Sequence, residues 1–494
     1  MTDHEPNLLF FFDEDLPARS RNVHFKYGPV EPEGVRVRGD TPADLGAASI
    51  FLSKIFLLPD DTYRMYYWSY SSRCGKTPDE QIPRALVATS KDRLTWEKPD
   101  LGQVQIDGTG TNLLEIEGLE YQIAVGLCPV KLAEDHWRLY FFGCEKGTRL
   151  WALLAADSTD GLHFKLLNDG KGMLYHPPIP EAGPLLCDIA KSLNRDPEEY
   201  ERTEGMRIRR LQTNDGATFE GNLQDGFEVF HPYLLDNAPE DGRYVDVPYN
   251  AASFLRVIAR RTSPDGVNWS DPKLIIWPDA KDPWDMQFYM MPVNDYAGWR
   301  IGLLGHYRTE KGQQDCYIEL TFSKDSHTWS RPCRGNWFKG SHDEDSCGIY
   351  PAGEGLVDRG DHWQLYYTGG NSRHDVFDLG GATFHTIMSV KIPKNRLLAV
   401  AADVVTGEFM TEPIFLSQDE IKIDADIRGW LRAELCDIFG GKLEGYHLMD
   451  CDVVSGDCQD HVLSWKGEDA SAYRYKPVRI RFEFTEGEVY CVKF

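Results

Sequence analysis

Ser90-Lys91-Asp92-Arg93-Leu94-Thr95-Trp96 returns three times along the chain. It recurs as Ser158-Thr159-Asp160-Gly161-Leu162-His163-Phe164, Ser263-Pro264-Asp265-Gly266-Val267-Asn268-Trp269 and Ser323-Lys324-Asp325-Ser326-His327-Thr328-Trp329. Each copy of this S-x-D-x-x-x-aromatic pattern follows a short apolar run: ALVAT, LLAA, FLRVIAR or YIELTF. The pattern spells a strand, a tight turn and a second strand. Ser and Asp side chains bond turn amides, and the glycine present in two copies accepts a positive φ. Self-similarity on this scale means a repeat architecture.

Working upstream from each copy, an aromatic strand comes first. It is Tyr63-Arg64-Met65-Tyr66-Tyr67, Trp137-Arg138-Leu139-Tyr140-Phe141, Trp299-Arg300-Ile301-Gly302-Leu303 and Trp363-Gln364-Leu365-Tyr366-Tyr367. The third unit has no clean version, and Met206 to Leu211 is its nearest candidate. Further upstream lies a small or apolar strand: GAASIFL, YQIAVGLCPV, DIAKSL, MQFYMMPV and SCGIYPAGEGLV. Five units follow, beginning near Asp44, Glu120, Asp188, Asp285 and Asp345, the fifth with a degenerate third element at Ile387 to Val400. Four-stranded units repeated radially make a β-propeller. The expected fold is all-β: a five-bladed β-propeller followed by a C-terminal β-sandwich.

The spacing between copies is uneven. The excess between the second and third copies falls at about Gln212 to Asn250, a stretch rich in Asn, Asp, Gly and Pro. It reads as a long insertion, either a lid over one propeller face or an ordinary surface loop. After about Thr406, KIDADIRGWLRAELCDIFGG, HLMDCDVVSGDCQDHVLSWKG and PVRIRFEFTEGEVYCVKF are alternating strands between turns. The expected domains are 1–405, the propeller with the N-terminal strand Leu8 to Asp13, and 406–494, the sandwich, which either packs on the propeller or binds carbohydrate.

Composition narrows the function classes. The 494 residues carry a formal net charge of −25, which repels phosphate backbones and argues against nucleic acid as a partner. No apolar run is long enough for a membrane helix, and the start MTDHEPNLLFFFDED has no basic n-region. Eleven cysteines without a C-x-x-C pair argue against a zinc ribbon and fit reduced thiols. A cytoplasmic protein is expected, with no cofactor and its oligomeric state left open. The 13 Trp and 23 Tyr suit a β-rich core and surfaces that stack on sugar rings.

In a propeller the innermost strands converge, so side chains at their entrances meet in one funnel. Asp44, Glu120, Asp188, Asp285 and Asp345 stand at or just before the five inner strands. Clustered carboxylates repel, and at least one holds its proton near neutral pH. A protonated acid beside an ionised one is what glycosidic cleavage requires. Asp188, Asp345 and Asp44 are the expected catalytic acids. Asp188 opens the middle inner strand beneath the insertion, and Asp345 has Asp343 and Glu344 beside it to raise its pKa. Glu120, Asp285, Gln287, Trp284, Tyr289, Tyr350 and His374 are the expected substrate contacts. The competing expectation is that some of these acids cap turns or hold a cation.

Several segments carry a resemblance: LLFFFDEDL at 8–16, ATSKDRLTWEKPDLG at 88–102, RRTSPDGVNWSDPKLI at 260–275, MQFYMMPV at 286–293, DSCGIYPAGEGLV at 345–357, LYYTGG at 365–370 and EGYHLMDCDVVSGDCQDHVLSWKG at 444–467. With these the chain resembles the five-bladed propeller glycosidases of the invertase and arabinanase superfamily. It is most similar to the bacterial group labelled glycoside hydrolase family 32-like. The N-D-P-N-G start and the Glu-Cys pair of invertases are absent, and Arg195-Asp196-Pro197 reads as a turn. Fructosidase activity is therefore an analogy of fold.

The resulting expectation is a glycoside hydrolase acting in exo fashion on a small oligosaccharide. The alternatives are a glycan-binding propeller without catalysis and a phosphorolytic relative, which would need basic residues in the funnel. Arg260 and Arg261 follow the third strand of the third unit, and the inner strands carry no basic equivalents of the acids. His342, His374 and His385 near Asp343, Glu344 and Asp345 lack metal-ligand spacing, and no metal is expected.

Overall fold

The computed structural model describes residues 7–13, 19–44, 49–70, 84–119, 122, 124–146, 151–175, 217–236, 254–283, 285–308, 316–372 and 385–494. These residues form an all-β architecture with a few single 3-10 turns. No helix among them is long and apolar enough to cross a membrane.

The repeat becomes five groups of antiparallel strands. The first is Ser49–Leu57, Tyr63–Tyr70 and Arg84–Ser90. The second is Val125–Ala133, His136–Cys144, Trp151–Ser158 and Phe164–Leu166. The third is Thr218–Asn222, Gly226–Asp236, Phe254–Ser263 and Lys273–Ile276. In the fourth, Met286–Met290 and Val293–Tyr296 share the partner Trp299–Arg308, which pairs on with Cys316–Ser323. The fifth is Gly348–Asp358, His362–Gly370 and His385–Pro393, completed by Glu31–Val37 from the start of the chain. One parallel pair, Cys316 with Gly348, links the fourth group to the fifth.

The S-x-D turns do two jobs. In all four, the Ser hydroxyl accepts from the turn amides, and one Asp oxygen accepts from two more. The fourth residue of each is left-handed: Arg93, Gly161, Gly266 and Ser326. In three of the four its carbonyl then accepts a tyrosine hydroxyl from the preceding group. Tyr66 donates to Gly161 at 2.6 Å, Tyr140 to Gly266 at 2.9 Å, and Tyr366 of the fifth group to Arg93 of the first at 2.6 Å. A Cβ at Gly266 would lie 2.3 Å from the Tyr140 hydroxyl, so that turn demands glycine. Between the third and fourth groups, Arg300 covers the Phe230 ring and pairs with Glu220 and Glu228. Between the fourth and fifth, the Asn294 side chain accepts from the Leu356 amide at 3.0 Å. Contact therefore runs in cyclic order, first to fifth and back to the first.

Several expectations need correction. The stretch from Gln212 to Asn250, expected as a single insertion, contains two strands of the third group. Phe227-Glu228-Val229-Phe230-His231 is the missing aromatic strand. Met206 to Leu211 and the strand DIAKSL lie outside the described residues. Leu8–Phe10, Arg19–Arg21, His24–Tyr27 and Leu398–Ala402, expected in the propeller domain, pair within the C-terminal sheet. That sheet is organised by two long strands, Lys422–Cys436 and Pro477–Lys493, paired along their length.

Three consecutive phenylalanines join the sheet to the ring. On an extended strand alternate side chains face opposite ways. Phe12 stacks on Phe322 of the fourth group at 4.1 Å, while Phe11 meets Phe409 of the C-terminal core.

Ring closure rests on a buried ion pair. Arg93 of the first group meets Glu354 of the fifth at 2.6 Å, and Glu354 also accepts the Ile55 amide at 2.7 Å. Removing one partner of such a pair strands a buried charge. Arg93→Met is expected to lower unfolding stability by about 3–5 kcal/mol, and Tyr366→Phe by about 1 kcal/mol, both read from urea unfolding curves.

Candidate active site

The inner strand of the fourth group shows how the sequence places a site. In Asp285-Met286-Gln287-Phe288-Tyr289 the period is two. Met286 and Phe288 pack on Phe230, Ile258 and Leu304, which sends Asp285, Gln287 and Tyr289 to the other face. Asp285 is buried and takes Arg308 at 2.7 Å. The carbonyl oxygen of the Gln287 side chain accepts from the Arg256 amide at 3.2 Å and from the Arg256 guanidinium at 3.1 Å. Arg256 belongs to the third group, and its guanidinium lies 5.6 Å from the Tyr289 ring and 4.9 Å from the Tyr307 ring.

Aromatic side chains of the first and fifth groups meet the same cluster. Tyr289, Tyr307, Cys316 and Tyr350 pack together with Phe51 against them. Phe51 stacks on Trp68 at 4.6 Å, and its ring lies 5.1 Å from His385 and 6.0 Å from Tyr350. The Ser49 hydroxyl and Nδ1 of His385 are 2.7 Å apart. Burial, with Cys316 beside it, pushes the Tyr350 hydroxyl well above the usual phenol range. Four of the five groups thus supply one buried spot that combines a carboxylate, two guanidiniums, an amide and several rings.

The other expected acids divide. Asp44 and Asp345 occupy equivalent places in the first and fifth groups, each ending a 3-10 turn. Asp44 accepts from Thr41 and from the Tyr67 hydroxyl, both at 2.8 Å, and pairs with Lys98. Asp345 accepts from the His342 amide at 2.8 Å and the Tyr367 hydroxyl at 2.7 Å. Both are buried, and both pin a strand entrance to the tyrosine of the neighbouring strand. The oxygens of both carboxylates are engaged by the chain, which gives each a part in holding the fold. Glu344 is likewise held by Arg38, which keeps its carboxyl below the usual range.

Asp188, Glu120, Trp284 and His374 lie outside the described residues. Among the described residues the third group begins with Thr218–Asn222. Sequence reasoning missed Arg256, Arg308, Tyr307, Phe51 and Trp68. Arg256 and Arg308 arrive from the strands beside the inner ones, and the inner strands carry Lys54 and Lys131 further along. Alternation was the available signal: Arg256 and Ile258 share a face of FLRVIAR.

A second polar belt lies further along the inner strands. Glu220, Glu354 and Lys54 come from three groups, and burial raises the carboxyls of both glutamates against the pull of Lys54. That of Glu220 rises to about 7.

No known family profile matches the sequence, and no curated protein matches it. Among solved structures the chain is similar to a glycosyl hydrolase from Bacteroides ovatus, at 10% identity and a TM-score of 0.44, over 80% of this chain and 98% of that one. It is also similar to a beta-1,2-mannobiose phosphorylase from Listeria innocua, at 10% identity and a TM-score of 0.40, over 76% of this chain and 97% of that one. A third similar structure is described with the GH130 family of mannoside phosphorylases, which contains glycoside hydrolases that target beta-1,2 mannosidic linkages in Candida mannan. Its identity is 11% and its TM-score 0.41, over 81% of this chain and 99% of that one.

Two measurements test these assignments. Tyr67→Phe and Tyr367→Phe each remove a donor from a buried carboxylate, and each is expected to cost about 1–3 kcal/mol of stability in chemical denaturation. For Glu220 the folded-state pKa is raised, so the folded protein binds the extra proton between the ordinary value and about 7. Stability is expected to fall as pH rises through that window, and Glu220→Gln to flatten the dependence of melting temperature on pH.

Proposed function

We propose that the protein is a carbohydrate-active enzyme of the glycosidase type, a five-bladed propeller with a C-terminal sandwich, acting in exo fashion on a small oligosaccharide. The observation that carries this reading is the convergence of Asp285, Gln287, Tyr289, Tyr350, Trp68 and Phe51 from three of the groups on one spot. Rings present apolar faces to sugar C–H groups, while carboxylate and amide oxygens take hydroxyls. An arginine-paired carboxylate suits a nucleophile, a base or a hydroxyl ligand better than a proton donor. Asp285 takes that part. The proton donor is proposed from Asp188 and Glu120 on their place in the sequence.

This reading keeps the resemblance to propeller glycosidases at the level of fold and sets aside the family 32-like group. Phosphorolysis is the second reading. Arg256 and Arg308 favour it, because a guanidinium binds phosphate well. A glycan-binding ring without turnover is the third.

The test is a panel of aryl glycosides and oligosaccharides, with and without inorganic phosphate. Asp285→Asn is expected to lower kcat by roughly 10²–10⁴-fold with the fold intact by circular dichroism. Asp188→Asn or Glu120→Gln is expected to do the same, and Asp44→Asn and Asp345→Asn to lower stability rather than kcat. Full activity of Asp285→Asn overturns the assignment, and binding without turnover across the panel favours the third reading.

A further inference from the structure

Five arginines are buried among the described residues: Arg93, Arg138, Arg256, Arg331 and Arg396. Four of them hold a carboxylate. Arg93 meets Glu354, Arg138 meets Asp157, Arg331 meets Glu319 and Asp282, and Arg396 meets Asp424. Arg256 is the exception. It is 4% exposed, and among the described residues no carboxylate lies within ion-pair distance of it. Its polar contact is the neutral side chain of Gln287, and its Nε has no hydrogen-bond partner.

Burying a cation costs free energy that a neutral amide and two rings offset only in part. The other buried guanidiniums among the described residues are paired, so Arg256 marks a place where the counter-charge comes from outside. Gln287 and the rings of Tyr289 and Tyr307 hold the guanidinium in place. Arg308, bound to Asp285, stands on the strand that also carries Tyr307.

We infer that Arg256 is the receptor for an oxyanion on a bound ligand, either the carboxylate of an acidic sugar or inorganic phosphate. The inference rests on the glycan reading for its sugar arm and stands without it for phosphate. The planar fork suits both, since it can give two parallel N–H···O bonds to either.

The test is thermal unfolding of the full chain with D-galacturonate, D-glucuronate or sodium phosphate, against D-galactose, D-glucose and sodium chloride at matched ionic strength. The expected result is a rise in melting temperature with a uronate or with phosphate that exceeds both the neutral sugar and the chloride control. Titration should show Arg256→Gln weakening that ligand by about 10- to 100-fold, the loss of one charge-assisted contact. Should Arg256→Gln not fold, Arg256→Lys replaces it and is expected to bind more weakly than the wild type, because the fork is gone. No rise above the chloride control in the wild type overturns the inference, and so does unchanged affinity in the variant. A response to phosphate but to no sugar keeps the oxyanion site and removes the glycan reading. Equal responses to neutral and acidic sugars, with none to phosphate, remove the oxyanion site and keep the glycan reading.

Discussion

The architecture depends on one hydrogen bond used repeatedly, from a tyrosine hydroxyl to the carbonyl of the left-handed residue in the next group's turn. Groups of strands around a ring share few ladder bonds with each other, so something else must set their mutual angle. The S-x-D turn supplies it because Ser and Asp satisfy its amides from within, which leaves a rigid carbonyl free to accept. The amide bonds of the turn hold Asp265 well below the usual carboxylate range, and Asp325 at about 2. Burial pushes the donating Tyr66, Tyr140 and Tyr366 up to about 12, so these stay donors across all ordinary pH. The fifth group uses the same bond on the first, beside the Arg93–Glu354 ion pair.

Most of this framework was legible in the sequence. Turn chemistry is local, and three of the aromatic strands sit at regular distances before their turns. Phe227 to His231 escaped because a long connection separates it from its own turn at Ser263, and because Phe230 carries no hydroxyl to complete the tyrosine pattern. The pairing of the strands of residues 8–37 escaped for another reason. Their partners lie hundreds of positions away, at 385–393, 398–402, 407–410 and 477–493, and no short-range period records such a pairing. The site was legible only in part. An acid before a strand can cap the turn that precedes it or line the space the strand opens on, and the letters are the same for both. Asp44 and Asp345 do the first; Asp285 ends no such turn and meets an arginine instead.

The same distinction separates the cations. Arg331, Arg396 and Arg138 face acids of the chain and complete the fold. A residue whose counter-charge is internal contributes to stability and has little left to offer a ligand. Arg256 is held by groups that do not neutralise it, so its attraction for an anion survives folding.

Net charge sharpens the point. A body of −25 repels an approaching anion over about a Debye length, roughly 8 Å in physiological salt, so long-range steering works against an oxyanion here. Recognition must come from contact at short range, where a buried guanidinium acts in a low dielectric and its attraction is least screened. A surface lysine could not serve, because its field would be cancelled by the acidic surroundings and by salt. An arginine buried beside the rings of Tyr289 and Tyr307 keeps more of its field. The overall acidity and the buried guanidinium that no described carboxylate pairs therefore act at different ranges: the first repels polyanions at a distance, and the second attracts an anion only at contact.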